Sequence, residues 1–229
     1  MVEIIPAIMP KSLLELEGAV SRVLGAAEYV QVDVMDGKFV SERSWPFPDF
    51  YKTAAPLLSE EDGLPFWDKM SYEFDLMISE PDKFAEKFII MGAGRIIIHF
   101  ESAAPGKIRE AIRKIKAMNT EVGIAINTST PNDVLDEFIN DTEDRTGFVQ
   151  FMGIEKIGYQ GEPFDERVIP KIKALREKYP DIIISIDGGV NPESAPRLIK
   201  AGANRLVAGS AIFGSGDSRA AIEDLMRVV

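Results

Sequence analysis

The chain has 229 residues, 45% of them hydrophobic and 28% charged, with no cysteine and a formal net charge of −11. Disulfides and thiolate metal sites are thereby excluded, and binding to nucleic acid or to an anionic membrane is disfavoured, because both need a basic face. No apolar run approaches the roughly 20 residues of a membrane span, and the opening MVEIIPAIMPKS does not read as a signal peptide, so a cytoplasmic location is expected.

Short apolar runs then recur along the chain. IIPAIM (4–9) is the first and carries Ala7 towards its end. YVQVDV (29–34) is the second, and here Gln31 and Asp33 stand two apart, so a pleated strand aims both the same way. Asp36-Gly37 ends that run as a turn. YEFDLMI (72–78) brings Asp75 and Met77, and RIIIHF (95–100) leads to the sole histidine, His99, and to Glu101. PGKIREAIRKIKAM (105–118) has helical period. EVGIAI (121–126) precedes Asn127, and FVQFM (148–152) ends in Met152. The helical DERVIPKIKALREKY (165–179) separates this run from IIISID (182–187), which ends in Asp187. RLVAG (205–209) then runs into Ser210. The acidic stretches 59–62 and 141–144 read as solvated loops.

Eight β-then-α units, undivided by any low-complexity linker, predict a single (β/α)8 barrel domain over residues 1–229. GAAEYVQVD (25–33), GAGRIIIHF (92–100) and GANRLVAGS (202–210) repeat a Gly-Ala helix stop followed by an apolar strand. That echo fits an open doubly wound sheet as well as a barrel. The count of units and the spread of polar residues over many strand ends favour the barrel.

In a barrel of this kind the functional groups gather at the C-terminal ends of the strands. Asp33, Asp75 and Asp187 each sit in or end an apolar run, where a carboxylate is costly unless paired, metal-bound or protonated. Any one of them alone reads equally well as a cap on loop N–H groups. Three at equivalent strand ends point to a site. Gly188-Gly189 follows Asp187, Asn191-Pro192-Glu193 has the form of a helix start, and Gly209-Ser210 follows the last strand. Glycine turns after strands seven and eight are where barrels frequently expose N–H groups to a phosphate.

VDVMDGKFV, DLMISEP, MGIEKIGYQGEPF and IDGGVNPESAPRLIKAGANRLVAGSAIFGS resemble the ribulose-phosphate 3-epimerase family, in order and over essentially the whole chain. The resemblance implies a barrel enzyme of carbohydrate metabolism that inverts C3 of a ketopentose phosphate, converting D-ribulose 5-phosphate to D-xylulose 5-phosphate. It implies Asp33 and Asp187 as the acid and base on opposite faces of an enediolate. Met35, Met77 and Met152 match positions near the reacting carbons, and His99 matches a further substrate position. Gly158 and Gly161 would join Gly188, Gly189, Gly209 and Ser210 in holding the sugar phosphate, and a homo-oligomer is expected. The chemistry is coherent, since inversion without a covalent intermediate needs one proton-transfer group on each side of the reacting plane.

Departures from the family fall on its metal centre, which holds a divalent ion with two histidines and the two aspartates. Gln31 and Asp75 take the histidine positions here, Ala7 replaces a serine, Gln160 a glycine and Glu162 a glutamine. The set Gln31, Asp33, Asp75 and Asp187 offers only oxygen ligands, which suits Mg2+ or Mn2+ better than Zn2+. The other possibility is a centre without an ion, in which at least one carboxyl is protonated. The alternative function is a phosphosugar-binding barrel that has lost metal and epimerase activity or acts on another sugar phosphate. Glu101, Asn127 and Lys156 are further candidate contacts.

Overall fold

Residues that alternate along eight short runs must face two ways, and closing the sheet separates the two sets. A computed structural model, which describes residues 2–59 and 61–229, has eight parallel strands: β1 (Glu3–Ile8), β2 (Tyr29–Met35), β3 (Ser71–Met77), β4 (Ala93–His99), β5 (Glu121–Ile126), β6 (Phe148–Met152), β7 (Ile183–Asp187) and β8 (Arg205–Ala208). They pair in chain order, and β8 returns to β1 to close the barrel. The fold expected from the sequence is the fold observed.

Boundaries move for local reasons. The first strand begins at Glu3 because its N–H donates to Asn204 O at 3.0 Å and its Cα pairs with Arg205. The last strand stops at Ala208 because Gly209 O accepts from Ile212 and Phe213 and so starts the short helix Ser210–Phe213. The helix Pro105–Ala117 opens on its proline as the pattern predicts. Val168–Lys178 begins later than 165, because the Asp165 carboxylate holds the Arg167 N–H in a turn at 3.0 Å. Asn191 does cap the N–H groups of Glu193 and Ser194, at 2.9 and 3.0 Å, yet the regular helix starts only at Ala195. The three echoed helix stops, Gly25, Gly92 and Gly202, all take positive φ.

One expectation is corrected. The stretch 141–144 is only partly solvated: Thr142 and Glu143 are exposed, whereas Asp144 is buried and accepts from Arg113 Nε at 2.9 Å, and Asp141 accepts from Arg109 Nη1 at 2.9 Å. In the other acidic stretch, Glu60 lies outside the described residues.

Outward-facing Val30, Val32, Val34, Phe74, Ile96 and Ile98 pack under helix residues such as Leu16, Val20, Phe88, Ile108 and Ile112 in the main core. The barrel interior holds two small apolar clusters, Ile5–Ala7–Val207 and Ile97–Ala125–Phe148. At the N-terminal strand ends the interior is ionic, with Glu3, Glu73, Arg95, Glu121 and Arg205 joined in salt bridges. Among the described residues no helix is long and apolar enough to cross a membrane.

Candidate active site

At the opposite end of the interior the sheet brings three acids together. Asp33 on β2 lies in register with Asp75 on β3, and Asp187 ends β7 beside Met152 of β6. One oxygen of each lies within 4.8 Å of the other two, and all three residues are buried. Gln31, which the pleat aims the same way as Asp33, joins two of them. Its Nε2 donates to Asp33 Oδ1 at 2.7 Å and to Asp187 Oδ2 at 2.8 Å. Its carbonyl, Oε1, is buried without a partner, a state that costs about 1–3 kcal/mol unless something else meets it.

A second amide reaches the cluster from below. Gln150 Nε2 lies 3.3 Å from Asp75 Oδ2 and 3.5 Å from Asp187 Oδ2, and its Oε1 accepts from Ser185 Oγ at 3.1 Å. His99 Nε2 approaches Asp75 Oδ1 to 3.0 Å. Both atoms nonetheless lack a properly aligned hydrogen bond, so this contact is charge proximity with poor directionality.

Crowding decides the protonation states. Burial, then Asp187 and Asp75, raise the Asp33 carboxyl well above its ordinary value, and the Gln31 amide opposes them only in part. Burial and Asp75 push Asp187 up to about 7. Burial pulls the His99 imidazole down, but Asp75 outweighs it and the net shift is upward. Asp33 and Asp187 therefore behave as one pair that resists losing both protons near neutrality.

The same donor set fits a hard cation. Three clustered carboxylates, with Asp75 Oδ1 and Gln31 Oε1 buried and unpartnered, match the oxygen-only chemistry of Mg2+ or Mn2+. For Gln31 to contribute its oxygen, its carboxamide must turn from the orientation just described.

Beside the acids opens a narrow cleft, into which Asp33 and Asp187 face. Gly158, Gly161, Gly188, Gly189, Gly209 and Ser210 all line it. Glycine is required at 188 and 189: both have positive φ, and a Cβ would meet Ile154 at 2.8 Å and the Phe164 backbone at 2.9 Å respectively. The loop after β6 covers the cleft. Tyr159 OH and Ser41 Oγ lie 2.7 Å apart, and the Gln160 amide packs against Gly209 with Nε2 3.5 Å from Ala7 O. The Ser41 side of this contact belongs to a loop held by Asp36. Burial of Asp36 is outweighed by hydrogen bonds from Ser79, Lys38 and Phe39, which hold its carboxyl below the usual range.

The expected residues thus divide. Met77 and Met152 line the cleft, whereas Met35 lies behind it, packed on Val40 and Met77. His99 does not line it; the ring is fully buried between Asp75 and Phe39. Glu101 Oε1 accepts from Asn127 N at 2.9 Å and from Thr130 Oγ1, which ties the β4 and β5 loops together. Lys156 lies over the Tyr159 ring at 4.0 Å. Sequence reading misses Gln150, Ser185, Tyr159 and Ser41.

A family model described as "Ribulose-phosphate 3 epimerase family" matches residues 3–213. The chain belongs to the ribulose-phosphate 3-epimerase family. A ribulose-phosphate 3-epimerase of Bacillus subtilis is 34% identical, over 98% of this chain and 98% of the relative. One from Eremothecium gossypii is also 34% identical, over 94% and 88%. The chain is accordingly an enzyme of the epimerase class. Its fold is shared more widely. A 3-keto-L-gulonate-6-phosphate decarboxylase from Vibrio cholerae superposes with a TM-score of 0.68 at 16% identity, over 100% of this chain and 99% of that one. A 3-hexulose-6-phosphate synthase gives 0.68 at 19% identity over the whole of both chains. At such identities only the barrel architecture is shared.

Proposed function

We propose that this epimerase converts D-ribulose 5-phosphate to D-xylulose 5-phosphate, with Asp33 and Asp187 as the proton-transfer pair. The observation that carries this reading is the single amide nitrogen of Gln31 held by both acids, 2.7 and 2.8 Å away, at the wall of a glycine-lined cleft. Two carboxyls from different strands share one proton between them. One accepts the C3 proton from one face of the sugar, and the other returns a proton to the opposite face. Burial raises both above the ordinary carboxylate range and brings Asp187 to about 7, close to a neutral operating pH. In the ion-free centre Gln31 supports the charged form of whichever acid has lost its proton.

The phosphate would lie against the glycine turns at Gly188-Gly189 and Gly209-Ser210, which line the same cleft as the acids. Met77 and Met152 present apolar walls that keep water from the reacting carbons. Asp33, Asp75, Asp187 and the turned Gln31 would hold the divalent ion, and when bound it supplies positive charge for the developing enediolate oxygens. His99 would act through Asp75, without touching the sugar. Self-association is supported by Trp67 and Ile90, both exposed and lining one hollow with Met70 and Met91; sedimentation velocity tests it.

A second reading, that the substrate is another sugar phosphate, is favoured by Gln160, whose amide fills space beside Gly209. Loss of the C3 proton signal in D2O decides between them. Ion-stripped protein would be compared with protein given Mg2+, Mn2+ or Zn2+, on ribulose 5-phosphate and on a ketohexose 6-phosphate. Exchange on the pentose supports the proposal. No exchange on it under any condition overturns it.

A further inference from the structure

A carboxamide has a donor end and an acceptor end on one planar group, and a half-turn exchanges them. At Gln31 both N–H bonds are used, on Asp33 and on Asp187, while Oε1 is buried and unpartnered. This orientation is the one that acids without an ion require, because Oε1 turned towards them would add a fourth acceptor to three. With a cation among the acids the preference reverses, since an N–H would point at positive charge. The two orientations therefore exclude one another, and each belongs to one state of the centre.

We propose that Gln31 is a two-position carboxamide: with its N–H bonds on Asp33 and Asp187 it closes the centre, and with Oε1 turned in it becomes a cation ligand beside Asp33, Asp75 and Asp187. Its surroundings provide for both positions. Asp75 Oδ1 is buried and makes no aligned hydrogen bond, although His99 Nε2 lies 3.0 Å from it. Glu73, the register partner of Gln31 on β3, has a buried Oε1 without a partner. Gln31 thus satisfies two of the acids without metal, and ion binding must compete with two hydrogen bonds.

The inference rests on the ion site proposed above. Its test reads the amide directly. In 15N-labelled, ion-stripped protein the Gln31 side-chain NH2 signals are identified as the pair missing from both Gln31→Leu and Gln31→Glu, so that failure of one variant to fold does not end the experiment. Mg2+ is then added until binding, followed by calorimetry, is saturated. The expected result is that this NH2 pair shifts in step with binding, as its carboxylate acceptors are lost. Gln31→Leu should bind Mn2+ about tenfold more weakly. An NH2 pair that stays in place while Mg2+ saturates overturns the proposal, and so does a complete lack of saturable binding. Proton exchange on ribulose 5-phosphate, measured on the same samples, keeps the two readings apart. Exchange without any ion preserves the epimerase and leaves the amide signals to decide on the switch, while absent exchange sinks the substrate assignment however the amide behaves.

Discussion

The two ends of the barrel interior are both filled with charge, and they are balanced differently. At the N-terminal end, Arg95 reaches Glu3, Glu73 and Glu121 at 3.0–3.2 Å, and Arg205 reaches Glu3 and Glu121 at 3.1 and 3.3 Å. The Arg95 guanidinium also stacks 3.6 Å from the Tyr29 ring. At the C-terminal end three acids face two amides and one histidine, with no arginine or lysine among them, while both ends leave some polar atoms unpartnered. Nearly neutralised charge plugs a barrel. Charge left uncompensated waits for a proton, an ion or a substrate, and it is at that end that the glycine cleft opens. The same barrel thus separates holding from reacting.

The contrast breaks most clearly at Asp187. Asp187→Asn should lower C3 proton exchange by about 10²–10⁴-fold, yet ion-stripped protein should melt no lower than the parent, because one of three crowded carboxylates is gone. A large loss of stability would mean that the upper cluster is structural after all. At the other end, Arg95→Met should cost roughly 3–5 kcal/mol in urea unfolding, because it takes the cation from buried Glu73 and from half-buried Glu3 and Glu121. Exchange per folded molecule should stay near the parent rate. If exchange collapses while the fold holds, the two ends are not independent.

Glu73 sharpens the comparison through pH. Burial raises its carboxyl to about 7, against the attraction of Arg95, whose own shift is upward. The two shifts pull on one contact in opposite senses, and full burial of Glu73 is the stronger physical cause. The folded protein then keeps a proton that the unfolded chain releases near pH ~4.3. Stability from this group is complete below that pH and is lost as pH rises through about 7. Glu73→Gln should therefore flatten the fall in unfolding free energy between about pH 4 and 7. Parallel curves for parent and variant would show that Glu73 is already ionised in the fold.

Legibility in the sequence follows the same division. Apolar runs and the helix-ending glycines at 25, 92 and 202 reveal the βα units, because each is a local signal, and the count of units with polar residues at many strand ends points to the barrel. Asp33, Asp75 and Asp187 are visible as acids within or ending apolar runs. Gln150 carries the same signal in FVQFM as Gln31 in YVQVDV, an amide in the inward phase of a strand, but no second polar residue stands beside it to flag it. The lower charges are invisible for another reason. Glu3 and Arg95, 92 positions apart, become partners only when the barrel closes. His99 reads as a substrate contact because strand ends face the site, but Asp75 and Phe39 enclose its ring.

The smallest expected effect tests what covers the reacting end. The lower plug is held by five close ion pairs, whereas the loop over the cleft meets the opposite loop through the Tyr159–Ser41 contact at 2.7 Å. Tyr159→Phe keeps the ring that lies under Lys156 and removes only the hydroxyl. A hydrogen bond of this kind is worth about 0.5–1.5 kcal/mol, which corresponds to a rise in KM of about 2–10-fold. Neither kcat nor melting temperature should move much, because the acids and the core are untouched. Ser41→Ala should give the same rise, and the double variant no more than either one alone, since the two changes delete one contact. Additive effects would mean that each hydroxyl meets the substrate separately, and that the cover is closed by the sugar phosphate itself.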